Sequence, residues 1–544
     1  QPYWRTAPEA PLPDFSTVVM GASLSTVWDG VNRRNLVRDA LPEFLVRRRW
    51  FQGKGQRIRQ VKVAPLGQID SGDEPFPLYA LDVEFDEGKY QRYLRPLAGA
   101  WGSEHVQPGS GRLAHVISKV RRGPRVGALL DATHESAFAC ATMQAMSENR
   151  TVADEHGRIE FRAIGPLPAI DSDTEVRAIG GEQSNQSLVI AGQAVLKIYR
   201  RLRSGIQPEL EVSRFLTEVA GFENSPSLLG LVEHLDDDGQ RTALASVSEF
   251  VPNQGDCWHV IVAALERQLE EMSLVHSEDE DAGDPWSERY TFPLDFAARL
   301  GQRTAELHAA FATATSDPAF QPEPITAADV ESWVKATKEE AEKAFSALAR
   351  LPDNLDETVK TAIGRLQALR HDLFTRIDEL GNQPPSGLKT RIHGDYHLGQ
   401  VMVAADDAVI IDFEGEPGRP LEERRAKTSA LRDVAGMLRS FDYAAWAALD
   451  RVAALAHEPS GHLTEAARAW HRRACRDFME SYEAVAQSSP GHSGSGSSAA
   501  AHLELFLLQK ALYEIAYEAS SRPTWLAIPL RGVLDLLEEQ GKQP

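Results

Sequence analysis

Two polar segments in the last third of the chain carry the residue types that phosphoryl transfer requires. The first reads RIHGDYHLGQVMV over 391–403, and the second reads VIIDFEGEP over 409–417. Phosphoryl transfer needs a carboxylate that accepts or orients the proton of the attacking hydroxyl, and oxygen ligands for a metal that neutralises phosphate charge. Asp395 is the candidate base, and Gln400 and Asp412 are candidate metal ligands. The two segments therefore predict a phosphotransferase site.

The spacing of these residues matches that of a kinase catalytic loop. In protein kinases the catalytic Asp precedes a metal-binding Asn by five positions, and a second Asp follows the next strand. Asp395, Gln400 and Asp412 have this order, with a longer amide in place of Asn. Such oxygen donors suit Mg²⁺. His393 and Asp395 could instead merely cap a turn, and His393 with His397 could bind zinc, but no third zinc ligand follows the usual patterns.

A lysine upstream of these segments is the candidate contact to nucleotide phosphates. Lys197 lies in AVLKIYR, a predicted strand whose apolar neighbours would make an unpaired ammonium costly. A predicted helix beginning near Glu209 supplies Glu209 and Glu211, and either could form the lysine–glutamate pair that positions the α- and β-phosphates. Taken alone, an edge-strand lysine pointing to water is the preferred interpretation. The order of the segments along the chain, with this lysine between the polar turn at 180–190 and the segments at 391–417, favours the nucleotide role.

Two further segments complete the predicted nucleotide site. GGEQSNQSLVI at 180–190 is a polar turn that could close over phosphates with backbone amides and hydroxyls, although it is not a GxGxxG sequence. SEFV at 248–251 stands where a hinge between lobes would offer backbone groups to adenine. The candidate nucleotide contacts in these segments are Ser184, Asn185, Ser187, Glu249 and Val251.

The elements that must position these residues predict an α+β, bilobal, protein-kinase-like fold. Alternating strands precede and follow Lys197, and helical periodicity dominates the second half of the chain. LVRDALPEFLVRRRW at 36–50 is predicted to be helical with an interruption at its proline. The acidic segment 276–286 and the Gly/Ser-rich segment 488–501 are typical of surface loops. The predicted domains are an N-terminal extension or linker (1–30), an N-terminal cap subdomain (31–135), a mixed nucleotide-binding lobe (136–255) and an α-rich C-terminal lobe with the catalytic and sugar-binding site (256–544).

Composition excludes several other classes of protein. The chain has 544 residues and a formal net charge of -21, which disfavours broad binding to nucleic-acid phosphates. Its three cysteines lack CxxC spacing, so neither a disulfide framework nor a structural zinc site is indicated. No apolar run is long enough to span a bilayer, and the first residues lack a signal-peptide pattern. We expect a cytoplasmic protein without a membrane partner.

Several longer segments resemble the maltokinases, relatives of the aminoglycoside phosphotransferases in the protein-kinase-like superfamily. These segments are RRRWFQGKG at 47–55, LKIYRRL at 196–202, HGDYHLGQ at 393–400, IDFEGEP at 411–417, RRAKTSALRDVAGMLRSFDYAA at 424–445 and YEASSRPTWLAIPL at 517–530. The resemblance covers nearly everything from about residue 35 onward. Ala430 departs from the Pro of that family, and residues 1–30 and about 488–501 are additional.

The resemblance implies ATP-dependent phosphorylation of maltose to maltose 1-phosphate, a precursor for α-glucan synthesis from trehalose. It implies Asp395 as the base, Gln400 and Asp412 as Mg²⁺ ligands with Glu414 nearby, and Lys197 as the phosphate contact. The first residues resemble the end of a trehalose synthase, a possible fused or associated partner. Because the chain does not begin with Met, Gln1 would then mark a boundary between fused domains.

The acceptor site is the least determined part of the sequence. Lys510, Glu514 and Tyr517 fall at i, i+4 and i+7 of a helix predicted over 504–520, so they share one face and could line a sugar pocket. His397 is a further candidate because it stands two residues after Asp395. Three alternatives stay open: a maltokinase, a related kinase of glucosamine or an aminoglycoside, and a non-catalytic module that regulates trehalose synthase.

Overall fold

The computed structural model describes most of the chain as two compact units. The described residues are 15–72, 74–86, 88–154, 156–180, 184–274, 284–352, 355–416, 418–455, 461–488 and 496–538. The N-terminal unit comprises the residues up to Leu210 together with Ser227–Val251, and the C-terminal unit comprises Glu211–Pro226 and the residues from Pro252 onward. Much of the N-terminal extension and of the two predicted surface loops lies outside the described residues. None of the described helices is long and apolar enough to cross a membrane.

The first sheet of the N-terminal unit is built from the cap and one strand from further along the chain. Its strands are β1 (Thr17–Val19), β2 (Ile58–Ile69), β3 (Phe76–Phe85), β4 (Tyr90–Trp101), β5 (Val116–Arg122), β6 (Arg125–Asp131) and β12 (Arg201–Leu202). The order is β1-β5-β6-β4-β3-β2, and β12 pairs with β4. Strand β1 pairs with β5 in parallel, so part of the predicted N-terminal extension is an edge strand of this sheet.

The second sheet of the N-terminal unit carries the candidate nucleotide residues. Its strands are β7 (Thr151–Asp154), β8 (Gly157–Ala163), β9 (Val176–Ala178), β10 (Gln186–Ile190), β11 (Ala194–Ile198), β13 (Leu228–Asp236) and β14 (Arg241–Glu249). They follow the order β7-β8-β13-β14-β11-β10-β9 and pair antiparallel. After the helix that begins near residue 209, the structure has the hairpin β13–β14.

Four of the described α-helices belong wholly or partly to the N-terminal unit. They are α1 (Gly30–Asn35), α2 (Leu41–Arg47), α3 (Ser136–Ser147) and α4 (Pro208–Phe215). The α-helical geometry is interrupted just before Pro42, where a wider π-helical turn at Leu36–Ala40 joins α1 to α2 and places this proline in the first turn of α2. Proline lacks a backbone N–H, and the first turn of a helix does not need one.

The C-terminal unit is mainly helical, as predicted. Its helices are α5 (Cys257–Leu274), α6 (Ala297–Phe311), α7 (Ala327–Leu348), α8 (Glu357–Ala368), α9 (Arg370–Gly381), α10 (Leu421–Arg424), α11 (Leu431–Leu455), α12 (Gly461–Ala486), α13 (Ser497–Ser521) and α14 (Ala527–Glu538). Its strands are β15 (Glu323–Pro324), β16 (Leu388–Thr390), β17 (Val401–Ala404), β18 (Asp407–Ile410) and β19 (Thr428–Ser429). Strands β17 and β18 form a hairpin, and β15-β16-β19 form a small sheet.

Each unit has its own apolar core. In the N-terminal unit, Phe76 on β3, Phe138 on α3 and Phe161 on β8 belong to one buried cluster shared by the two sheets. In the C-terminal unit, the long helices bury residues such as Phe441 on α11 and Trp470 on α12 in a second cluster. The mixed α+β architecture is therefore the predicted one: sheets with few helices first, then a helical region that contains a small hairpin.

Candidate active site

The segment 391–400, which we name the candidate catalytic loop, runs from β16 into the β17–β18 hairpin. It ends in a 3-10 turn at Leu398–Gln400, and β17 begins at the next residue. His393 is buried and its Nε2 donates to the carbonyl oxygen of Ile411 at 2.9 Å. The backbone N–H of Asp395 donates to Nδ1 of His393 at 3.3 Å. His393 thus fixes the backbone beside Asp395 and is not a zinc ligand in this arrangement.

Helix α11 holds the same loop from the other side. The carboxylate of Asp433, in the first turn of α11, accepts hydrogen bonds from the backbone N–H of His393 at 2.7 Å and of Gly394 at 2.9 Å. Burial would raise the pKa of Asp433, but hydrogen bonding and attraction to His308 outweigh it, and the pKa is lowered. The Ser440 hydroxyl accepts from the N–H of Leu398 at 3.0 Å.

The predicted metal ligands lie directly after the hairpin strands. Nε2 of Gln400 donates to Oδ2 of Asp412 at 3.1 Å, which leaves the amide oxygen of Gln400 for another partner. Asp412 has φ of 66°, in the left-handed region that side chains other than glycine seldom adopt. Such backbone strain persists where the surroundings impose it, often at functional sites. Oxygen donors from Gln400, Asp412 and the following Glu414 fit the ligand preference of Mg²⁺.

A pocket opens beside Asp395 within the C-terminal unit, and we name it the acceptor pocket. Four separate segments of the chain meet around it, including two turns of α13 and the first turns of α11. The lining residues are Gly394, Asp395, Tyr396, Glu416, Arg419, Arg432, Asp433, Gly436, Phe506, Gln509, Lys510 and Tyr513. The candidate base therefore faces a space that combines charged groups with three aromatic residues.

The charged groups of the acceptor pocket are largely arranged in pairs. Nζ of Lys510 lies 3.9 Å from Oδ1 of Asp395, and the guanidinium of Arg419 donates to Glu416. Burial would raise the pKa of Glu416, but Lys510 and Arg419 outweigh burial, and the pKa is lowered. Glu416 is therefore ionised at neutral pH. Burial and, after it, the negative charge of Glu416 raise the pKa of Tyr513, so the hydroxyl of Tyr513 stays neutral.

The three residues predicted on one helix face are placed differently by the structure. Lys510 lines the acceptor pocket, whereas Glu514 and Tyr517 are not among its lining residues. Glu514 accepts hydrogen bonds from Nε and Nη2 of Arg439 at 3.0 and 2.8 Å inside the protein. Tyr517 is 46% exposed, and its ring stacks on that of Tyr513 at 6.3 Å. Tyr513, one turn earlier on the same helix, lines the pocket instead.

His397, a further predicted sugar contact, caps the 3-10 turn of the loop. Its Nδ1 accepts from the backbone N–H of Gly399 at 3.0 Å, so this nitrogen is used in the turn. Burial lowers the pKa of His397. It is not among the residues that line the acceptor pocket.

Lys197 forms the predicted pair in the N-terminal unit, and its partner is Glu209. Nζ of Lys197 lies 2.9 and 2.8 Å from the two carboxylate oxygens of Glu209. The hydroxyl of Tyr199 donates to the same carboxylate at 2.7 Å. Ser187 on β10 is the cross-strand partner of Lys197, so both side chains share one face of the sheet.

Glu211, the alternative partner, is engaged within the C-terminal unit. Its carboxylate accepts from Arg391 at 2.8 Å and from two nitrogens of Arg425 at 2.8 and 2.6 Å. Burial would raise the pKa of Glu211, but the two guanidinium groups outweigh it and lower the pKa. Because Arg391 begins the candidate catalytic loop, this carboxylate anchors the start of the loop.

The remaining predicted nucleotide contacts lie at strand ends in the N-terminal unit. Ser184 and Asn185 directly precede β10, while the three residues before them, 181–183, lie outside the described residues. Glu249 ends β14, and its N–H donates to the carbonyl oxygen of Ser227 at 2.9 Å. Val251 is the last residue of the N-terminal unit.

Sequence reasoning missed several residues of the site. Glu416 and Arg432 stand in segments that the resemblance singled out, and Arg419 lies between two of those segments, but no role was assigned to any of the three. Asp433 was missed as well, although an acid in the first turn of a helix is a recognisable signal for binding backbone N–H groups. Tyr513 could have been found from its spacing, because it lies three residues after Lys510 on the same helix.

The chain matches the phosphotransferase enzyme family over residues 175–474, which is more than half of its length. It therefore belongs to this family, and the predicted kinase-like class is confirmed. Relatives with this architecture include a glucosamine kinase of Streptacidiphilus jiangxiensis, 27% identical over 464 residues that cover 83% of this chain and 87% of the relative. A glucosamine kinase of Mycolicibacterium smegmatis is 29% identical over 366 residues, 67% of this chain and 80% of the relative.

A solved structure supports the fold over almost the whole chain. The structure of a glucosamine kinase in complex with glucosamine, ADP and inorganic phosphate superimposes with a TM-score of 0.61 and 21% identity, covering 92% of this chain and 98% of the other. At this identity the likeness establishes the fold. The acceptor of the present chain has to be argued from its own residues.

Proposed function

We propose that this protein is an ATP-dependent kinase of a small neutral sugar, with maltose as the acceptor and maltose 1-phosphate as the product. The observation that carries the proposal is the position of Asp395 in the wall of the acceptor pocket, with Lys510 3.9 Å from its carboxylate. A carboxylate at the edge of such a space can take the proton of a bound hydroxyl as that hydroxyl attacks the γ-phosphate. The maltokinase-like segments support maltose in particular.

The other roles follow the sequence interpretation. Gln400, Asp412 and Glu414 would hold Mg²⁺, which supplies charge neutralisation to the phosphates when bound. Lys197, oriented by Glu209, contacts the nucleotide phosphates. The polar turn contributes Ser184, Asn185 and Ser187 to the phosphates, and the segment with Glu249 and Val251 offers backbone groups to adenine.

The charge balance of the acceptor pocket favours a neutral sugar. Glu416 is paired with Arg419, and Asp433 accepts two backbone N–H groups. Asp395, the third carboxylate in the pocket wall, lies beside Lys510 and is needed as the base. An ammonium group on the sugar would therefore have to compete with an existing partner for a carboxylate. Hydroxyl groups can use the donors and acceptors that the pocket offers.

Glucosamine is the second candidate acceptor, because both curated relatives described above carry the name glucosamine kinase. The physical difference between the two acceptors is the amino group at neutral pH. A kinase adapted to glucosamine needs a carboxylate that can pair with that group, since an unpaired buried charge is costly.

A panel of acceptors tests the proposal directly. The purified protein is mixed with ATP, Mg²⁺ and one of maltose, glucose, glucosamine or an aminoglycoside, and ADP release is measured. We expect turnover with maltose and a product whose phosphate is attached at the anomeric carbon by ³¹P and ¹H NMR. Turnover with glucosamine and none with maltose would replace the first candidate by the second.

A maltose kinase also needs a source of maltose. Trehalose synthase, fused or associated, is the partner that this function implies, with the product feeding α-glucan synthesis in the cytoplasm where ATP is available. Co-purification of tagged protein with a maltose-forming activity tests this part. Absence of that activity from the purified complex counts against the partner and leaves the acceptor panel unaffected.

A further inference from the structure

Arg432 is a cation of the acceptor pocket that the proposed reaction has not yet used. It is the second residue of α11 and lines the pocket together with Asp395 and Lys510. Arg419, the other guanidinium there, donates to Glu416 and reaches Glu423 at 3.5 Å. Among the residues that the structure describes, Arg432 makes no hydrogen bond or ion pair of this kind. Its five N–H donors therefore have no hydrogen-bond acceptor within the part of the chain that the structure describes.

The place of Arg432 has a free-energy cost that attraction to Glu416 and Asp433 offsets only in part, and no hydrogen bond among the described residues adds to that attraction. The side chain is partly buried, and burial followed by the nearby Arg419 lowers the pKa of its guanidinium. A positive charge in the first turn of a helix is also unfavourable, because the helix N-terminus already carries partial positive charge. A residue that breaks two local rules without a compensating hydrogen bond among the described residues is expected to serve a function.

The composition of the pocket wall indicates which molecule this guanidinium meets. The candidate metal ligands Gln400, Asp412 and Glu414 are not among the lining residues, whereas the base Asp395 is. The nucleotide phosphates would bind beside the metal, at residues that do not line this pocket. The pocket is therefore available to the acceptor. Phe506 and Tyr513 add apolar ring surfaces, and the ammonium of Lys510 lies 5.1 Å from the centre of the Tyr513 ring. This mixture of aromatic faces and donors suits a sugar.

We infer that Arg432 is a specificity-determining residue of the acceptor pocket, which donates to sugar oxygens other than the hydroxyl held at Asp395. The inference rests on the proposed sugar-kinase function and deepens it. A planar guanidinium can bind two neighbouring oxygens at once, as the vicinal hydroxyls of a sugar present them. Binding of the acceptor thus supplies the hydrogen-bond acceptors that α11 lacks.

The test compares Arg432→Met and Arg432→Lys with the wild type. We expect Arg432→Met to raise the KM for the sugar about tenfold or more, since a hydrogen bond to a charged group is worth at least that factor. The KM for ATP should change less than about twofold, and the melting temperature should not fall, because an unpaired charge has been removed from a helix N-terminus. Arg432→Lys keeps the charge without the planar fork and should give an intermediate KM.

Arg267→Met is the matched control, because Arg267 is an exposed arginine on α5 that takes part in none of the described hydrogen bonds or ion pairs. An unchanged sugar KM in Arg432→Met, an equal rise in the KM for ATP, or full recovery in Arg432→Lys would each overturn the inference. Calorimetric binding of maltose, glucose and glucosamine to each variant gives the same comparison without turnover. A wild type that prefers another sugar rejects maltose as the acceptor, while the role of Arg432 is then decided on that sugar.

Discussion

The candidate catalytic loop and the wall of the acceptor pocket use their polar groups in contrasting ways. In the loop, His393 and the backbone around it are hydrogen-bonded on both sides, to Ile411 and to Asp433. In the pocket wall, Arg432 has no such bond among the described residues, and Lys510 stands 3.9 Å from Asp395, beyond hydrogen-bond distance. The backbone beside Asp395, the proposed base, is thus held by the protein itself, whereas Arg432 and Lys510 are the groups that we propose to meet the acceptor.

This difference separates two requirements of catalysis. A base held in position contributes to the rate by preorganisation, and its supports should affect kcat. Donors that find their partners only in the acceptor contribute to binding, and their loss should appear in KM. The variants below test whether the two parts of the site divide their roles in this way.

The largest effect is expected at the base itself. Asp395→Asn removes the proton acceptor with little change of shape, so kcat should fall by roughly 10²- to 10⁴-fold. The melting curve followed by circular dichroism should stay close to that of the wild type. Undiminished ADP release in this variant would show that another group is the base.

The comparison extends to the N-terminal unit through Lys197, whose charge is fixed by Glu209. Lys197→Met should lower kcat/KM for ATP about 10- to 100-fold, because a hydrogen bond to a charged group contributes about 1.5–3 kcal/mol. The sugar KM should hardly change. Lys62→Met, which removes an exposed lysine from β2, is the control. Equal kinetics of the two variants would contradict the phosphate-binding role.

Removing the charge that supports the loop should affect stability as well as rate. Asp433→Asn should lower the free energy of unfolding by about 2–4 kcal/mol at neutral pH, because two buried backbone N–H groups lose a charged acceptor. The pKa of Asp433 is lowered in the folded protein, so its contribution is present above the ordinary value of about 3.9 and is lost as the pH falls below it.

The measurement for Asp433→Asn is urea unfolding of both proteins as a function of pH. The difference in unfolding free energy should be constant from about pH 5 to 7 and shrink below about pH 4. A difference that grows on acidification would mean that this carboxylate does not support the loop in its ionised form.

A smaller effect is expected where α11 touches the loop most closely. A Cβ atom on Gly436 would lie 2.5 Å from the carbonyl oxygen of Tyr396. Gly436→Ala should therefore displace the loop, lower the free energy of unfolding by about 1–3 kcal/mol and reduce kcat. Gly364→Ala on α8, where a Cβ meets open space, should raise stability by up to about 1 kcal/mol. Thermal unfolding and kcat of the pair test this, and equal behaviour would contradict the close contact.

The smallest effect is expected at the two tyrosines of α13, whose comparison shows how far the acceptor pocket extends along this helix. Tyr513 lines it, whereas Tyr517 is 46% exposed outside the described lining. Tyr513→Ala should raise the sugar KM several-fold, since loss of an aromatic contact costs about 1 kcal/mol or more, and Tyr517→Ala should change it less than about twofold. A larger effect at Tyr517 would show that the acceptor extends further along α13.

The sequence predicted the kinase-like fold class correctly, because that class depends on periodicity and on the order of the elements. It left open whether Glu209 or Glu211 pairs with Lys197. Two positions apart on a helix, these residues point to different sides, and only tertiary packing decides which one meets the lysine. The helix at 504–520 was predicted, but the sequence did not show which of its faces lines the pocket. Tyr517 was therefore proposed as a sugar contact, whereas the structure places Tyr513 in the pocket wall.

The residues that were missed share one property. Glu416, Arg419 and Arg432 stand on segments far apart in the sequence from α13, and they share a pocket with Lys510 only because the C-terminal unit folds. Spacing within a motif carries no information about such contacts. Likewise the parallel pairing of β1 with β5 joins strands about 100 residues apart, which a local pattern cannot predict.

Strand β1 has a practical consequence for anyone preparing shortened versions of the protein. Val18 is fully buried, and the backbone of 17–19 covers the outer side of β5. Removing the residues up to Met20 would expose the edge of the seven-residue strand β5. Its unpaired N–H and C=O groups could then pair with a strand of a neighbouring molecule and cause aggregation. Expression boundaries are therefore safer ahead of Phe15, even though the cap helices begin only at Gly30.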